Sequence, residues 1–362
     1  MTAILFLRSS NQLGGIERQL LWHARRLHTD GWKVTIACLH RGQGEHPLTQ
    51  AACAAGLSAL SLPDPAPWSP APLRALARLI REIRPDILHT ADYRGDILTA
   101  WLRKRPHWLA ETQGHTNENR RMSLWNWLDV RALRRADAVA PVSAAWETWL
   151  AARSVLPARM TVLANSRAIL RPDAPPAPVQ LPGPGPHLLY AGRFSPEKGV
   201  SLLLDAWPAL RGRWPDAHLW LLGAMPASAS YRRYVERKSQ QSGVHLVGYQ
   251  SDIRPWLQAV AAVIVPSRRE AWGMTAFETL CAGTPLAAAR VGGLPEICRG
   301  APHARLFTKN DAAALLTALE TTLQPDFPRG NELGRAYGSQ PRFDPERRHK
   351  ILLKIYRDLS RQ

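Results

Sequence analysis

The chain has 362 residues, 45% of them hydrophobic, which is enough apolar material for two domain cores. Its 47 lysines and arginines exceed its 29 aspartates and glutamates, so the net charge is +18 and the surface attracts polyanions such as nucleic acid, anionic lipid or phosphorylated substrates. No apolar run reaches about 18 residues and no C-x-x-C pair occurs among the four cysteines, which argues against a membrane span, a disulfide scaffold and a compact zinc site.

Short apolar runs alternate with amphipathic segments along the first half of the chain. The sequence predicts strands at "AILFLRSS", "WKVTIACLH", "DILHTA", "HWLAETQG" and "AVAPVS". Helices are predicted at "GGIERQLLWHARRLHTDG", after the first strand, and at "LRALARLIREIRP", before the third. Because this alternation is typical of a parallel sheet covered by helices, we expect an α/β domain over residues 1–168.

A proline- and glycine-rich stretch, "LRPDAPPAPVQLPGPGP", then predicts a linker over 169–186. The alternation restarts with strands at "HLLYAGR", "HLWLLGA", "VHLVG", "AAVIVPS" and "PLAAARV", so we expect a second α/β domain over 187–335. The amphipathic last helix, within 336–362, is expected to cross back to the first domain. Parallel sheets bind ligands at the carboxyl ends of their strands, which makes the cleft between the two domains the expected site.

Two glycines, Gly14 and Gly15, follow the first strand and open the first helix. Glycines at this point let the backbone approach a ligand, and the N–H groups of the helix attract an anion. A tight strand–helix turn explains the pair equally well. The spacing is not G-x-G-x-x-G and no acidic residue clearly ends the second strand, which disfavours an NAD enzyme.

The loop "YAGRFSPEKGV" carries Arg193 and Lys198 between a strand and a helix. The planar fork of an arginine and the mobile charge of a lysine beside a helix N-terminus suit a diphosphate. The alternative is a solvated basic loop.

The stretch "RREAWGMTAFETL" places two carboxylates around the start of a helix. Glu278, one turn inside, leans back toward the N-terminus of the helix, and Glu270, before the turn, reaches the same space. The backbone amides of Gly273, Met274 and Thr275 lie between them and can bind an anion. This arrangement suits a nucleoside diphosphate sugar, with hydroxyls at both ends and phosphates in the middle. Alternatively, Glu278 is a surface residue of the helix and Glu270 a partner of the helix dipole.

Together these motifs resemble those of the retaining glycosyltransferases of family 4. "EAWGMTAFETLCAGTPLAAARVGGLPE" is similar to the E-x7-E, A-x-G-x-P and G-G-x-x-E signature of that family, and "GRFSPEKG" to its G-R-x-x-x-x-K-G loop. "GGIERQLLWHARRL" resembles the family's first helix and "FDPERRHKILLKIYRDL" its closing helix. The resemblance covers nearly the whole chain, and several spaced motifs in the expected order are more specific than any one of them.

The resemblance implies a GT-B fold, in which two Rossmann-like domains with parallel sheets face each other across a cleft. It also implies that Glu278 binds the ribose and Glu270 the transferred sugar. Arg193 and Lys198 would neutralise the diphosphate, and the backbone of Gly15 would approach the phosphates or the acceptor. Such enzymes usually need no metal and no cofactor; the donor substrate would be a UDP- or GDP-sugar.

Two loops of the first domain depart from the family pattern. The nucleotide-side loop usually reads N-G-[VI]-D, but here "NSRAI" keeps only Asn165. Where the family often has H-G, "ETQGHT" offers Gln113 and Gly114, with His115 following. His115 is therefore a candidate for the catalytic pocket, although a lone histidine is more often structural.

Tryptophans and cations are mixed in the first domain, where Trp101, Trp108, Trp125 and Trp127 lie near Arg103, Lys104, Arg105, Arg120, Arg121, Arg131, Arg134 and Arg135. Such a mixture suits an anionic membrane surface. It also suits nucleic acid, or a basic surface with several buried indoles. Because no RNA- or DNA-binding motif is visible, we disfavour nucleic acid as a partner.

We therefore expect a metal-independent retaining glycosyltransferase that moves a sugar to a hydroxyl of a glycan or lipid-linked acceptor, in the synthesis of a cell-surface polysaccharide or lipopolysaccharide. We expect it in the cytoplasm, with peripheral attachment to the inner face of the cell membrane. The alternative is a non-catalytic protein of the same fold that binds anionic glycan or nucleic acid through its basic face. Arg193, Lys198, Glu270 and Glu278, all present, argue against that alternative.

Overall fold

The structure is a computed structural model that describes residues 2–10, 12–41, 44–116, 120–156, 159–170, 177–226 and 228–361. The chain divides into two compact units. The first unit comprises residues 1–171 together with 341–362, and the second unit comprises residues 172–340. Residues 171–176 of the predicted linker lie outside the described part of the chain.

In the first unit, the described residues form a sheet of seven parallel strands in the order β3-β2-β1-β4-β5-β6-β7. The strands are β1 (Ala3–Ser9), β2 (Lys33–His40), β3 (Ser58–Pro63), β4 (Ile87–Thr90), β5 (His107–Thr112), β6 (Ala138–Pro141) and β7 (Arg159–Met160). The helices between them are α1 (Gly15–Thr29), α2 (Pro47–Ala54), α3 (Ala71–Ile83), α4 (Tyr93–Ala100), α5 (Arg120–Leu133) and α6 (Ala144–Ala151).

In the second unit, the described residues form a sheet of six parallel strands in the order β10-β9-β8-β11-β12-β13. The strands are β8 (His187–Ala191), β9 (His218–Leu222), β10 (Val244–Gly248), β11 (Ala262–Val265), β12 (Leu286–Ala289) and β13 (Ala304–Phe307). The helices are α7 (Val200–Arg213), α8 (Ala229–Lys238), α9 (Arg254–Ala259), α10 (Met274–Ala282), α11 (Leu294–Cys298), α12 (Ala312–Thr322) and α13 (Asn331–Gly338).

The central strand β1 shows why both faces of the first sheet are covered. Ile4 and Phe6 pack into one hydrophobic cluster, whereas Leu5 and Leu7, on the opposite face, pack into another. A strand buried on both faces is a continuous apolar run, which is how it appears in the sequence. The predicted α/β class with parallel sheets is thereby confirmed.

The last helix, α14 (Pro345–Leu359), belongs to the first unit. Its apolar side chains complete the cluster that contains Ile4 and Phe6; they are Leu352, Ile355, Tyr356 and Leu359. The first unit is therefore built from both ends of the chain. Within the described residues, no helix is both long enough and apolar enough to span a bilayer.

Candidate functional site

The strand order of the second sheet determines where a ligand can bind in the second unit. The chain order reverses between β8 and β11, so the loops that leave these neighbouring strands diverge and open a crevice at their carboxyl ends. The loop after β8 carries Arg193 and Lys198, and the loop after β11 carries Glu270. Topology alone thus brings these three predicted residues to the same edge of the sheet.

Lys198 and Glu270 are in direct contact at this edge. Lys198 Nζ lies 2.7 Å from Glu270 Oε2, and the hydroxyl of Ser267 donates to the same carboxylate oxygen at 3.2 Å. Both charged side chains are largely buried, with 25% of Lys198 and 12% of Glu270 exposed. A partly desolvated ion pair at the mouth of a pocket can exchange partners when an anion arrives. Sequence reasoning did not identify Ser267, which follows the strand β11 directly after a proline.

Backbone contacts that only glycine allows hold the loop after β11 against the loops after β8 and β12. Gly292 has φ +52, and a Cβ added there would lie 1.6 Å from the carbonyl oxygen of Glu270. Gly199 has φ +72, and its added Cβ would lie 1.9 Å from the carbonyl oxygen of Pro266. The backbone that presents Lys198 and Glu270 is therefore fixed by close packing at both ends.

The N-terminus of α10 forms the floor of the pocket. Gly273, the residue before the helix, has φ +110 and provides no side-chain cap, so the first N–H groups of the helix remain for a ligand. The hydroxyl of Thr275 donates to the carbonyl oxygen of Ala191 at 3.0 Å, which ties the helix to the end of β8. Together with Met274, these residues line the pocket that also holds Lys198 and Glu270.

The pocket is open to solvent and has an empty volume of about 460 Å³, part of which is solvent space. Its remaining lining comes from Tyr190, Gly192, Ile264, Val265, Pro266 and Ser267. Neither Arg193 nor Glu278 is among the described residues that line it. Arg193 lies on the same loop, half exposed, with its Nη2 3.1 Å from Glu197 Oε1. Glu278 lies one turn into α10 and is half-buried. The diphosphate and ribose contacts predicted for these two residues stay predictions.

In the first unit, Gly14 and Gly15 lie at the corresponding switch point, next to β1 and β4. The N–H of Gly14 donates to Glu17 Oε2 at 2.9 Å, and Arg8 Nε donates to Glu17 Oε1 at 2.8 Å. Asp92, at the end of β4, accepts from the N–H of Ser9 at 2.5 Å. This cluster of ions keeps the glycine turn in place, and its residues were not identified from the sequence.

His115 lies after β5 and is oriented by a buried carboxylate. Its Nε2–H donates to Asp129 Oδ2 of α5 at 2.5 Å, while its Nδ1 is buried without a hydrogen-bond partner among the described residues. Only 7% of the His115 side chain is exposed. Asp96 faces Asp129, and burial together with the charge of Asp129 raises the pKa of Asp96 well above its usual value. Through its contact with Nε2, Asp129 orients the imidazole of His115.

Asn165 is fully buried, and both ends of its amide are bonded within the first unit. Its Oδ1 accepts from Gln19 Nε2 at 2.9 Å, and its Nδ2 donates to Gln113 Oε1 at 3.0 Å. Gln113 in turn donates to Glu111 Oε1 at 2.6 Å. The structure thus gives Asn165 a role in holding Gln113 at the end of β5.

A buried polar network joins this loop to α14. Arg348 Nη2 lies 2.7 Å from Glu111 Oε2. Burial alone would raise the pKa of Glu111, but Arg348 and His89 overcome that effect and lower the pKa to about 2. The hydroxyl of Tyr356 bonds both His89 Nδ1, at 2.7 Å, and His23 Nε2, at 3.1 Å. These partners are distant in sequence, and no local pattern indicates them.

The mixture of tryptophans and cations is only partly at the surface. Trp108 and Trp125 are buried, as the alternative of buried indoles expects, whereas Trp101 and Trp127 are 66% and 54% exposed. Arg131 Cζ lies 4.8 Å from the ring centroid of Trp127. The side chain of Arg120 lies outside the described part of the chain.

Comparison with known proteins gives matches along both units. Residues 14–166 match the family model described as a glycosyl transferase 4-like domain, and residues 185–325 match that described as glycosyl transferases group 1. The D-inositol 3-phosphate glycosyltransferase of Arthrobacter sp. (strain FB24) is 30% identical over 177 residues, which cover 47% of this chain and 42% of the relative. The lipopolysaccharide core biosynthesis glycosyltransferase LpsE of Rhizobium meliloti is 28% identical over 144 residues, which cover 40% and 41% of the two chains. This chain thus matches less than half the length of these curated relatives.

Solved structures match over the full length. The sucrose-phosphate synthase of Thermosynechococcus elongatus superposes with a TM-score of 0.77 at 21% identity, covering 99% of each chain. HepE of Anabaena, in complex with UDP-glucose, superposes with a TM-score of 0.77 at 17% identity, covering 99% of this chain and 100% of that one. At these identities the likeness establishes the fold, and the GT-B fold expected from the sequence is confirmed.

Proposed function

This chain belongs to the group 1, family 4-like glycosyltransferases with a GT-B fold, and we propose that it transfers a sugar from a nucleoside diphosphate sugar to a hydroxyl of a glycan or lipid-linked acceptor. The observation that carries the proposal is the pocket of the second unit. There, a lysine–glutamate pair lies beside the uncapped N-terminus of α10. We propose a UDP- or GDP-sugar as the donor, consistent with the UDP-glucose bound in HepE.

In this proposal, the N-terminus of α10 and Lys198 bind the diphosphate. Helix N–H groups and a lysine ammonium are preorganised positive charge, which stabilises a leaving group as its negative charge grows. Arg193, on the same loop, adds a second cation when it turns from Glu197 to the phosphates. Binding of the diphosphate to Lys198 releases the carboxylate of Glu270 for the transferred sugar. Glu278, farther along α10, binds the ribose.

The proposed chemistry retains the configuration of the sugar. The acceptor hydroxyl attacks the anomeric carbon on the face from which the phosphate leaves; the new carbon–oxygen bond forms as the bond to phosphate breaks, and the departing phosphate oxygen takes the acceptor proton. The carboxylate of Glu270 stabilises the positive charge that develops on the sugar. His115, held by Asp129, has a positioning role in this proposal, in the loop after β5 of the first unit. Among the described residues, no group of three potential metal ligands occurs, and we propose that the cations and helix amides do the work of a metal ion.

Calorimetry with UDP and GDP, beside turnover with the matching sugar donors, tests the proposal. Lys198→Ala should lower the rate of transfer, because the transition state loses about 2.7–4 kcal/mol of stabilisation, as it does when one preorganised donor is removed. The matched control is Lys238→Ala, because Lys238 forms an ion pair of the same length, 2.7 Å, with Asp205 and is similarly exposed, at 31%. Equal transfer by the Lys198 and Lys238 variants would contradict the assignment.

The two glutamates separate donor binding from chemistry. Glu278→Gln should weaken calorimetric binding of the nucleoside diphosphate, whereas Glu270→Gln should leave that binding nearly intact and lower turnover. Equal loss of nucleotide affinity in both variants would show that the division is wrong.

Metal independence is tested with a chelator. Transfer should persist in excess chelator; complete loss of transfer that magnesium or manganese restores would refute metal independence.

We further propose that the enzyme acts in the cytoplasm, in the synthesis of a cell-envelope glycan, and attaches peripherally to anionic membranes through α5. Leu124, Trp127 and Arg131 are spaced to share one face of this helix, and Leu124 and Trp127 are 44% and 54% exposed. Co-sedimentation with anionic vesicles should fall as salt rises and fall further in Trp127→Ala. Binding to neutral vesicles that equals binding to anionic ones would contradict this.

A further inference from the structure

An aromatic column lies at the carboxyl edge of the first sheet. We define it by Trp68, Trp125 and Arg94. The rings of Trp68 and Trp125 are stacked, with centroids 4.7 Å apart and planes at 18°, and Arg94 Cζ lies 5.4 Å from the centroid of Trp125. Trp125 is buried, but Trp68 is 64% exposed. The column thus ends in an indole whose surface is open to solvent.

Buried ionic contacts hold the column. Arg94 Nη2 donates to Asp64 Oδ1 at 2.7 Å, and Arg94 Nη1 donates to the carbonyl oxygen of Pro67, the residue before Trp68, at 2.7 Å. Arg94 is 5% exposed and Asp64 1% exposed. The loop that carries Trp68 is therefore bonded directly to α4, and stacking on Trp125 orients the indole before any ligand arrives. Preorganisation of this kind lowers the entropic cost of binding.

The rim of the column is polar and positively charged. Arg41, which follows β2, donates to Asp64 Oδ2 at 3.0 Å with 47% of its side chain exposed. Arg41 and Arg94 share the single carboxylate of Asp64, so the cluster keeps one net positive charge. Tyr93, at the start of α4, is 38% exposed, and its ring centroid lies 6.1 Å from that of Trp125. An open aromatic face with a hydroxyl and a guanidinium at its rim suits a ring that is apolar on its face and polar at its edge.

We propose that this column is a subsite for an acidic glycan, in which a pyranose ring stacks on Trp68 and Arg41 binds the carboxylate or phosphate that the sugar carries. The inference rests on the proposed function and extends it by naming the acceptor class. The charge of the rim selects an acidic sugar over a neutral one. Stacking on a second, buried indole distinguishes this subsite from the exposed face of α5, where Trp127 lies beside the guanidinium of Arg131.

Calorimetry and saturation-transfer NMR with trigalacturonate and maltotriose test this subsite. The wild-type protein should bind trigalacturonate more tightly than maltotriose. Trp68→Ala should weaken trigalacturonate at least tenfold, and Trp68→Phe, which keeps a smaller ring, should lie between the two. Arg41→Gln should abolish the preference for the acidic trisaccharide. Trp101→Ala is the matched control, because Trp101 is 66% exposed but lies outside the column, and it should bind like the wild type.

Two outcomes would overturn the proposal: no binding of either trisaccharide to the wild type, or unchanged binding in Trp68→Ala. If Trp68→Ala keeps its trisaccharide binding but no longer sediments with anionic vesicles, the column is a membrane-binding surface instead. UDP binding to the same proteins separates this test from that of the proposed function. A wild type that binds trigalacturonate but no nucleotide would refute the donor site and leave the subsite standing.

Discussion

Replacing Arg348 with methionine tests how α14 is bound to the first unit. In the wild type, Arg348 Nη2 lies 2.7 Å from Glu111 Oε2 and compensates the negative charge of this buried carboxylate. The pKa of Glu111 is lowered from 4.5 to about 2. At about 1.4 kcal/mol per pKa unit, this difference corresponds to about 3 kcal/mol of stability for the ionised form. It agrees with the range of roughly 3–5 kcal/mol for breaking a buried ion pair by removing one partner. Arg348→Met should therefore lower the free energy of unfolding of the first unit by about 3 kcal/mol at pH 7.

The pH dependence gives a second measure of the same interaction. A carboxylate with a lowered pKa stabilises the folded state above its unfolded pKa, and this contribution is lost as the pH falls from 4.5 toward 2. In Arg348→Met, burial is no longer opposed by the guanidinium and raises the pKa of Glu111, so the variant favours the protonated form. The difference in stability between variant and wild type should therefore narrow as the pH is lowered toward about 4.

Urea unfolding should be monitored by hydrogen exchange in peptides from β1 and β5, so that the measured loss of stability is assigned to the first unit. The double variant Glu111→Gln with Arg348→Met should recover much of the loss, because neither partner is left charged and buried. Arg26→Met is the matched control: Arg26 contacts Glu346, also on α14, at 3.2 Å, but both side chains are well exposed, at 37% and 45%. That control should cost less than about 1 kcal/mol. A loss below about 1 kcal/mol in Arg348→Met, or a loss that does not depend on pH, would refute the reasoning.

Three further changes probe other parts of the molecule. Gly292→Ala should lower kcat/KM about a hundredfold, because its Cβ would lie 1.6 Å from the carbonyl oxygen of Glu270, whereas Gly212→Ala, where an added Cβ meets nothing within 4 Å, should leave transfer unchanged. Asp129→Asn should lower turnover roughly tenfold to a hundredfold without changing UDP binding, because it removes a charged hydrogen-bond partner of His115; unchanged turnover would contradict this. Burial, Arg348 and His349 lower the pKa of His23 well below 6.5, so the unfolded chain binds a proton that the folded one does not, and urea midpoints should fall as the pH drops below 6.5. His23→Gln should flatten that dependence, and an identical slope in both proteins would assign it to other groups.

Much of the fold could be predicted because buried parallel strands are short apolar runs that need no distant partner to be recognised. β1, β2 and β8 are such runs. β3, β7 and β13 were not predicted. β7 has only two residues, and the mixed sequences "SALSLP" and "ARLF" are only partly buried, so their apolar pattern is weak.

The candidate site divides in the same way. Lys198 and Glu270 could be identified from the sequence because each lies in a motif that follows an apolar strand. Their contact could not be predicted, because it depends on the strand order that places β8 beside β11. The contact of Glu111 with Arg348 could not, because it depends on how α14 packs, and packing between distant segments leaves no local pattern. The same holds for the tyrosine that joins His23 to His89, since Tyr356 and His23 are separated by 333 positions.

The two-part construction of the first unit affects how the chain folds during synthesis. Residues 172–340 are contiguous, so the second unit can fold as soon as it has left the ribosome. The first unit emerges earlier but has no α14 against Ile4 and Phe6 until residues 345–359 are made. The segment that is synthesised first therefore keeps an apolar surface exposed for the longest time, during which chaperones or neighbouring nascent chains can bind it. Emergence of residues 345–359, rather than of residues 1–171, is therefore the event that completes the N-terminal core.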